Sequence, residues 1–220
     1  MERILVVGSP GSGKSTFSRA LGELTGLPLI YLDRLFWNAD KTTVENKVFD
    51  QRLEEAMART PSWIMDGNYS RTLARRLACC DRVFFLDYPV EVCLESVRGR
   101  RGTVRPDMPW VETEEDPEFM EYIQTFPQQQ RPKILELREK YGEKPWVVLH
   151  GRGQMDAYLR GLDTGMAEAK GSKGKVFAVR PRPVPGLSLR RVAPRAIRGR
   201  VAARDKSRLG SSLRSCSSRD

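Results

Sequence analysis

Five short apolar runs divide the first 150 residues, each bounded by glycine, proline or polar residues. RILVV (3–7), LPLIYL (27–32), SWIMD (62–66), RVFFLD (82–87) and PWVVLH (145–150) read as strands. Between them the period lengthens. Residues 14–25 place Phe17, Leu21 and Leu24 on one helical face, with Gly26 where a C-cap belongs. Further helical patterns cover 44–59, 90–101, 119–126, 131–142 and about 154–162, and Ile134, Leu135, Leu137 and Tyr141 give the fifth of these six its apolar side. Strands that alternate with helices and carry little polar interruption predict an α/β fold: a parallel sheet covered on both faces. The segment 98–118, RGRRGTVRPDMPWVETEEDPE, breaks the pattern with charge and proline and reads as a mobile flap.

The first strand runs into GSPGSGKS (8–15), which matches G-x-x-x-x-G-K-[ST] with Gly8, Gly13, Lys14 and Ser15. The pattern sits where it has mechanical meaning, between a strand and a helix. A polyphosphate needs several donors converging on its oxygens. Backbone N–H groups supply them only if the chain wraps closely, which favours Gly8, Gly11 and Gly13. The free N–H groups and partial positive charge at the start of the next helix favour an anion there. Lys14 adds a point charge for β- and γ-phosphates, Ser15 a hydroxyl ligand for Mg²⁺, and Thr16 lies near the α-phosphate. The expected nucleotide-binding loop is thus Gly8, Ser9, Pro10, Gly11, Ser12, Gly13, Lys14, Ser15 and Thr16, with ATP and Mg²⁺ as cofactors. Guanine selectivity through N-K-x-D is excluded: in NKVFD, Phe49 follows Asn46 and Lys47 where the aspartate belongs.

Charge alters the picture only once it is divided. The 220 residues carry a formal net charge of +10. Residues 1–164 hold 23 Lys/Arg against 25 Asp/Glu, whereas 165–220 hold 15 against 3. The basic character belongs to the tail, so the whole-chain charge says nothing about the body. The tail is rich in Arg, Gly, Ala, Pro and Ser, without Trp or Tyr, and reads as disordered. It is either a tether for nucleic acid and acidic surfaces or an extension without selected function. The expected domains are 1–164, with a lid at about 98–118, and the tail 165–220. The four cysteines, Cys79, Cys80, Cys93 and Cys216, fit no metal or redox spacing. No apolar run approaches a membrane span or a signal-peptide core, so the expected location is the cytoplasm.

The set RILVVGSPGSGKSTFSRALGELTGLPLIYLDRLFW, WIMDGNYSRTL, DRVFFLDYP, RPDM and FPQQQRPKILELREKYG resembles the adenylate-kinase-related proteins called DNA topology modulation proteins, over about residues 1–162. That resemblance implies a P-loop, nucleoside-monophosphate-kinase-like fold with a five-stranded parallel sheet and a lid. It also implies phosphoryl transfer from ATP to a small-molecule acceptor, which it does not name. Asp33 ends the second strand, at the edge where parallel sheets bind ligands, and is a candidate base or acceptor-orienting group. An aspartate there also serves as a turn or cap residue. Asp66 of DGNY resembles the aspartate of the adenylate kinase D-G-F-P-R motif, which organises Mg²⁺ through water, so Ser15 and Asp66 are the expected metal-side residues. Asn68-Tyr69 replaces Phe-Pro, which puts AMP in doubt as the acceptor. Asp87 is a weaker metal candidate. Phosphoryl transfer requires positive charge on the migrating group, and the flap offers Arg98, Arg100, Arg101 and Arg105, with Arg131 beyond it. Arg101, Arg105 and Arg131 are chosen, with Lys14, Asp33 and Asp66, as the catalytic set; Arg100 reads better as a solvated charge. HGRGQM (150–155) is expected near the adenine. The alternative reading is an ATP-binding regulatory protein that associates with nucleic acid through its tail.

Overall fold

A computed structural model of the chain describes residues 2–171. Five strands form one sheet: β1 (Arg3–Gly8), β2 (Leu29–Tyr31), β3 (Trp63–Asp66), β4 (Arg82–Leu86) and β5 (Trp146–Leu149). Their order is β2-β3-β1-β4-β5, and every pairing is parallel. Eight helices accompany them among the described residues: α1 (Lys14–Thr25), α2 (Leu32–Phe36), α3 (Asn46–Ala58), α4 (Ser70–Cys79), α5 (Val90–Gly99), α6 (Pro117–Gln129), α7 (Arg131–Lys140) and α8 (Arg152–Gly171).

The sheet is covered on both faces, and the pleat divides its residues accordingly. Ile4, Val6, Ile64, Phe84, Leu86, Val147 and Leu149 pack on one side with Phe17, Leu21, Val97 and Tyr158. Leu5, Val7, Trp63, Met65, Val83, Phe85, Trp146 and Val148 pack on the other with Phe49, Leu53, Leu73, Leu77 and Ile134. Strands buried on both sides need no polar alternation, which is why their sequences read as unbroken apolar runs. Because β1 lies in the middle, the residues that follow it emerge at the C-terminal edge of the sheet, between those that follow β3 and β4.

Some elements differ from the pattern-based expectation. The second run is a strand only over Leu29–Tyr31; Leu32–Phe36 turns into α2, since Leu32 buries completely and Leu35 and Phe36 join the same cluster. The sequence pattern assigns no element to 67–80, yet α4 occupies Ser70–Cys79 with Leu73, Arg76 and Leu77 buried. Arg76 interrupts its apolar face, and Arg71 and Arg75 add charge on the exposed side. The last helix extends to Gly171, well beyond the expected 162. From residue 172 onward the expected basic tail lies outside the described residues.

Candidate active site

β1 ends at Gly8 and α1 begins at Lys14, so the glycine-rich segment is a loop joining the central strand to a helix. Gly13 caps α1 in the left-handed region, φ 86°, and no side chain caps the helix. The first N–H groups of α1 therefore remain available to an anion. Lys14 Nζ donates to the Ser9 carbonyl at 3.0 Å, which folds the ammonium back over the loop. Ser12 is buried, and its hydroxyl makes no hydrogen bond among the described residues.

Two of the glycines are required by the protein itself. A Cβ at Gly8 would stand 2.3 Å from the Leu86 carbonyl oxygen of β4, and one at Gly11 would stand 2.2 Å from the Cys93 carbonyl oxygen of α5. The sequence reading attributes these positions to space for phosphate; in the structure the neighbouring backbone already forbids a side chain. Asn68 fixes the loop from the other side. Its side-chain amide donates to the Gly8 carbonyl at 2.7 Å and accepts from the Gly8 N–H at 2.9 Å.

The carboxylates gather at the same edge. Asp66, at the end of β3, is buried, and its Oδ1 has no partner among the described residues. Burial pushes its pKa up to about 6, while Lys14 and the Ser15 hydroxyl pull the other way. Burial lowers the Lys14 pKa, opposed by Asp66 and Asp33. Asp33 lies in the first turn of α2 and accepts a 2.7 Å hydrogen bond from the Tyr69 hydroxyl. Burial raises its pKa, with Tyr69 and Lys14 opposing. Ser15 Oγ also donates to Asp107 Oδ2 at 3.2 Å, so the expected Mg²⁺ ligand stands among hard oxygen donors. An orphaned buried carboxylate oxygen beside a helix-terminal serine fits Mg²⁺, which takes few protein ligands and fills its shell with phosphate oxygens and water. Among the described residues no group of three His, Cys, Asp or Glu is spaced to hold a metal without such help.

A cavity of about 1490 Å³ covers this edge. Pro10 to Thr16, Asp33, Asp66, Arg98, Arg100, Arg101 and Arg105 all line it, with Arg152 and Met155 from the start of α8. Gly153 lies in that start and Gly151 directly precedes it, both from the segment expected near the adenine. The flap lies over the loop: Arg34 Nε donates to the Pro106 carbonyl at 2.8 Å, and Asp107 meets Ser15, Arg19 and Arg105. Its arginines are paired with flap acids. Arg100 and Arg105 reach Glu112 at 3.1 and 3.3 Å, and Arg101 reaches Glu115 at 2.7 Å.

Arg131, expected over the phosphates, lies elsewhere. It forms a two-pronged pair with Asp87, both distances 2.8 Å, beside a separate cavity of about 290 Å³ that Ser9 and His150 also line. The same pair occupies Asp87, the weaker metal candidate. Arg131 opens α7 and Asp87 follows β4, so the pair stands on the β4 side of the loop and not with Asp66 at the end of β3.

Four residues at the site are absent from the sequence reading's choices: Asn68, Tyr69, Arg76 and Asp107. Arg76 is fully buried and donates to the carbonyls of Gly67, Asn68 and Tyr69, so it holds the turn that carries Asp66 and Asn68. Burial lowers its pKa to about 9. That turn is conformationally demanding, with Gly67 at φ 133° and Tyr69 at φ 39°. A sequence signal for Arg76 existed: it falls on the apolar face of α4, three residues after Leu73 and one before Leu77.

No protein-family profile matches the chain. Over 92 residues it is 34% identical to the adenylate kinases of Thermotoga petrophila and Thermotoga maritima, covering 40% of this chain and 40% of each relative. The chain thus spans about 40% of the length of the curated relatives it matches. Among solved structures, shikimate kinase from Acinetobacter baumannii in complex with shikimate aligns with a TM-score of 0.50 at 19% identity, over 77% of this chain and 95% of that one. This is the nucleoside-monophosphate-kinase-like P-loop fold. The five-stranded parallel sheet expected from the sequence is its framework.

Proposed function

We propose that the chain is an adenylate-kinase-related kinase, transferring the γ-phosphoryl group of ATP–Mg²⁺ to a small-molecule acceptor. The observation that carries this reading is the grouping of Lys14 and Ser15, at the uncapped start of α1, with the buried carboxylate of Asp66, whose Oδ1 has no partner among the described residues. The local identity to adenylate kinases supports it. The blocks LDRLFW, DGNY, LDYP and RPDM support a finer assignment to the DNA topology modulation proteins. A cytoplasmic location belongs to the same reading; among the described residues no helix is long and apolar enough to cross a membrane.

In this reading the backbone from Gly8 to Thr16 holds the phosphates, and Lys14 neutralises charge on the β- and γ-groups. Ser15 and Asp66 are the residues that would hold Mg²⁺, directly or through water, and the bound ion would supply further charge neutralisation at the phosphate oxygens. Arg101 and Arg105 exchange their flap carboxylates for the migrating group as it develops charge. Asp33 orients or deprotonates the acceptor. Calorimetric titration of the full chain with ATP and Mg²⁺ tests the reading. Saturable binding that disappears in Lys14→Ala is expected, together with Lys14-dependent transfer in an acceptor screen. Binding that is absent, or indifferent to Lys14, overturns it.

A further inference from the structure

The β2–β3 side of the cleft has a composition that bears on the acceptor. Its wall is aromatic. Phe36, Trp37, Tyr69 and Trp110 all line the cavity. Their rings form a continuous chain: Phe36 to Trp37 at 5.4 Å, Phe36 to Tyr69 at 5.1 Å, and Trp37 to Trp110 at 5.2 Å. Phe49, fully buried, backs Phe36 and Tyr69 from below. Trp63 and Trp146 are buried in the core, whereas Trp37 and Trp110 are only half-buried and face the cleft. Apolar rings left open inside a cleft, with polar groups beside them, are the composition of a small-molecule site. The volume suits two ligands: 1490 Å³ exceeds the roughly 300–1,000 Å³ of a pocket for one drug-sized molecule.

Charge decides between acceptor types. Asp33 and Asp66 both stand at this side, and Tyr69 is the side-chain hydrogen-bond partner of Asp33 among the described residues. The flap arginines of the cleft are engaged by Glu112, Glu115 and Asp107, and Arg152, which also lines it, donates to the Ser96 hydroxyl. Arg34 spends its Nε on the Pro106 carbonyl, and Arg71 pairs with Asp50, away from the cavity. Lys41 and Lys133 reach the lining from exposed positions. A phosphate monoester seated against Asp33 and Asp66 would meet two carboxylates, while Arg105, whose charge Asp33 feels, is already held by Asp107 and Glu112 and offers no free fork, the arrangement that holds phosphate best. A neutral hydroxyl meets an acceptor for its proton.

We propose that the acceptor is an uncharged alcohol bearing a flat ring, a nucleoside in size and chemistry, with its ring stacked on the Trp37 wall and its hydroxyl facing Asp33. This rests on the kinase reading. In the transfer step the hydroxyl proton passes to the Asp33 carboxylate, and the oxygen lone pair forms the new bond to the γ-phosphorus. The bond from that phosphorus to the β–γ bridging oxygen breaks, and its electrons leave with ADP. Tyr69 is a positioning residue: its hydroxyl fixes one oxygen of Asp33 and leaves the other for the acceptor.

The test uses the full chain, [γ-³²P]ATP and three acceptor sets: adenosine, uridine and thymidine; their 5′-monophosphates; and shikimate and gluconate as alcohols without an aromatic ring. Tryptophan fluorescence, titrated with each compound in the absence of ATP, reports binding independently of transfer. Nucleosides are expected to quench fluorescence and accept phosphate. Trp37→Ala weakens nucleoside binding roughly 5- to 150-fold, the range of one aromatic stack. Asp33→Asn lowers transfer by roughly 10²- to 10⁴-fold, a far larger loss than any weakening of nucleoside quenching. Preferential transfer to the monophosphates, or to shikimate or gluconate, overturns the inference and leaves the kinase reading standing. Saturable nucleoside quenching without Lys14-dependent transfer to any acceptor keeps the ring site and discards the kinase reading. Nucleosides that neither bind nor accept phosphate overturn the inference outright.

Discussion

Replacing Asp66 by asparagine removes a charge while keeping the shape of the side chain. Asp66 is 6% exposed, and burial pushes its pKa from 3.8 up to about 6. The folded chain therefore holds this proton more tightly than the unfolded chain. The stability conferred by the protonated form is fully present below pH 3.8 and is lost as pH rises through about 6. At about 1.36 kcal/mol per pKa unit, ionised Asp66 costs the ligand-free protein about 3 kcal/mol at neutral pH. The attraction of Lys14 is already contained in that figure, since it is the largest influence opposing the rise. Asparagine imitates the neutral acid and avoids the cost. Urea unfolding of the ligand-free protein and Asp66→Asn, at about pH 4 and about pH 7.5, measures the difference. The two should be nearly equal in acid, and the variant more stable by about 3 kcal/mol at neutral pH, or about 6–12 °C in Tm for a domain of this size. The same variant should lose Mg²⁺-dependent turnover, a trade of function for stability. A variant less stable than its parent at neutral pH, or a difference that does not change with pH, would refute the reasoning.

Other perturbations test the support of the site. Arg76→Ala deprives three carbonyls of their buried donor and should cost at least about 3 kcal/mol in urea unfolding, with Arg76→Lys failing to restore it. Asn68→Asp keeps the acceptor for the Gly8 N–H but sets a carboxylate against the Gly8 carbonyl; a loss of about 1–3 kcal/mol and weaker ATP binding are expected by denaturation and calorimetry. Gly11→Ala drives a methyl into the Cys93 carbonyl and should abolish ATP binding, measured by calorimetry, even where circular dichroism shows a folded protein. Glu112→Gln releases Arg100 and leaves Arg105 held by Asp107 alone, and should tighten ATP binding about two- to fivefold at low salt, an effect that added salt erases.

How much of the site could be read beforehand follows the distance along the chain over which each feature is built. The turn from Gly8 to Ser15 is contiguous, so glycine spacing and one lysine identify it. Asp33 and Asp66 are legible because each closes an apolar run, and the end of a parallel strand is where ligands bind. The clasp of Asn68 on Gly8 spans 60 residues, and the reach of Asp107 to Ser15 spans 92. Neither has a local signature. Arg131 illustrates the converse: its block suggested a place over the phosphates, but α7 packs beside β4 and delivers it to Asp87.

The sequence alone determined that this chain is an α/β protein with five strands and a glycine-rich turn between the first strand and a helix, because hydrophobic period and glycine spacing act over a few residues. Only the tertiary structure decided which strands lie beside β1. That order brings Asp66 and Asn68 to the turn, engages the flap arginines with their own acids, and aligns Phe36, Trp37, Tyr69 and Trp110 into one wall. Pairing between distant segments depends on how whole faces bury against each other, and no short stretch of residues encodes that by itself.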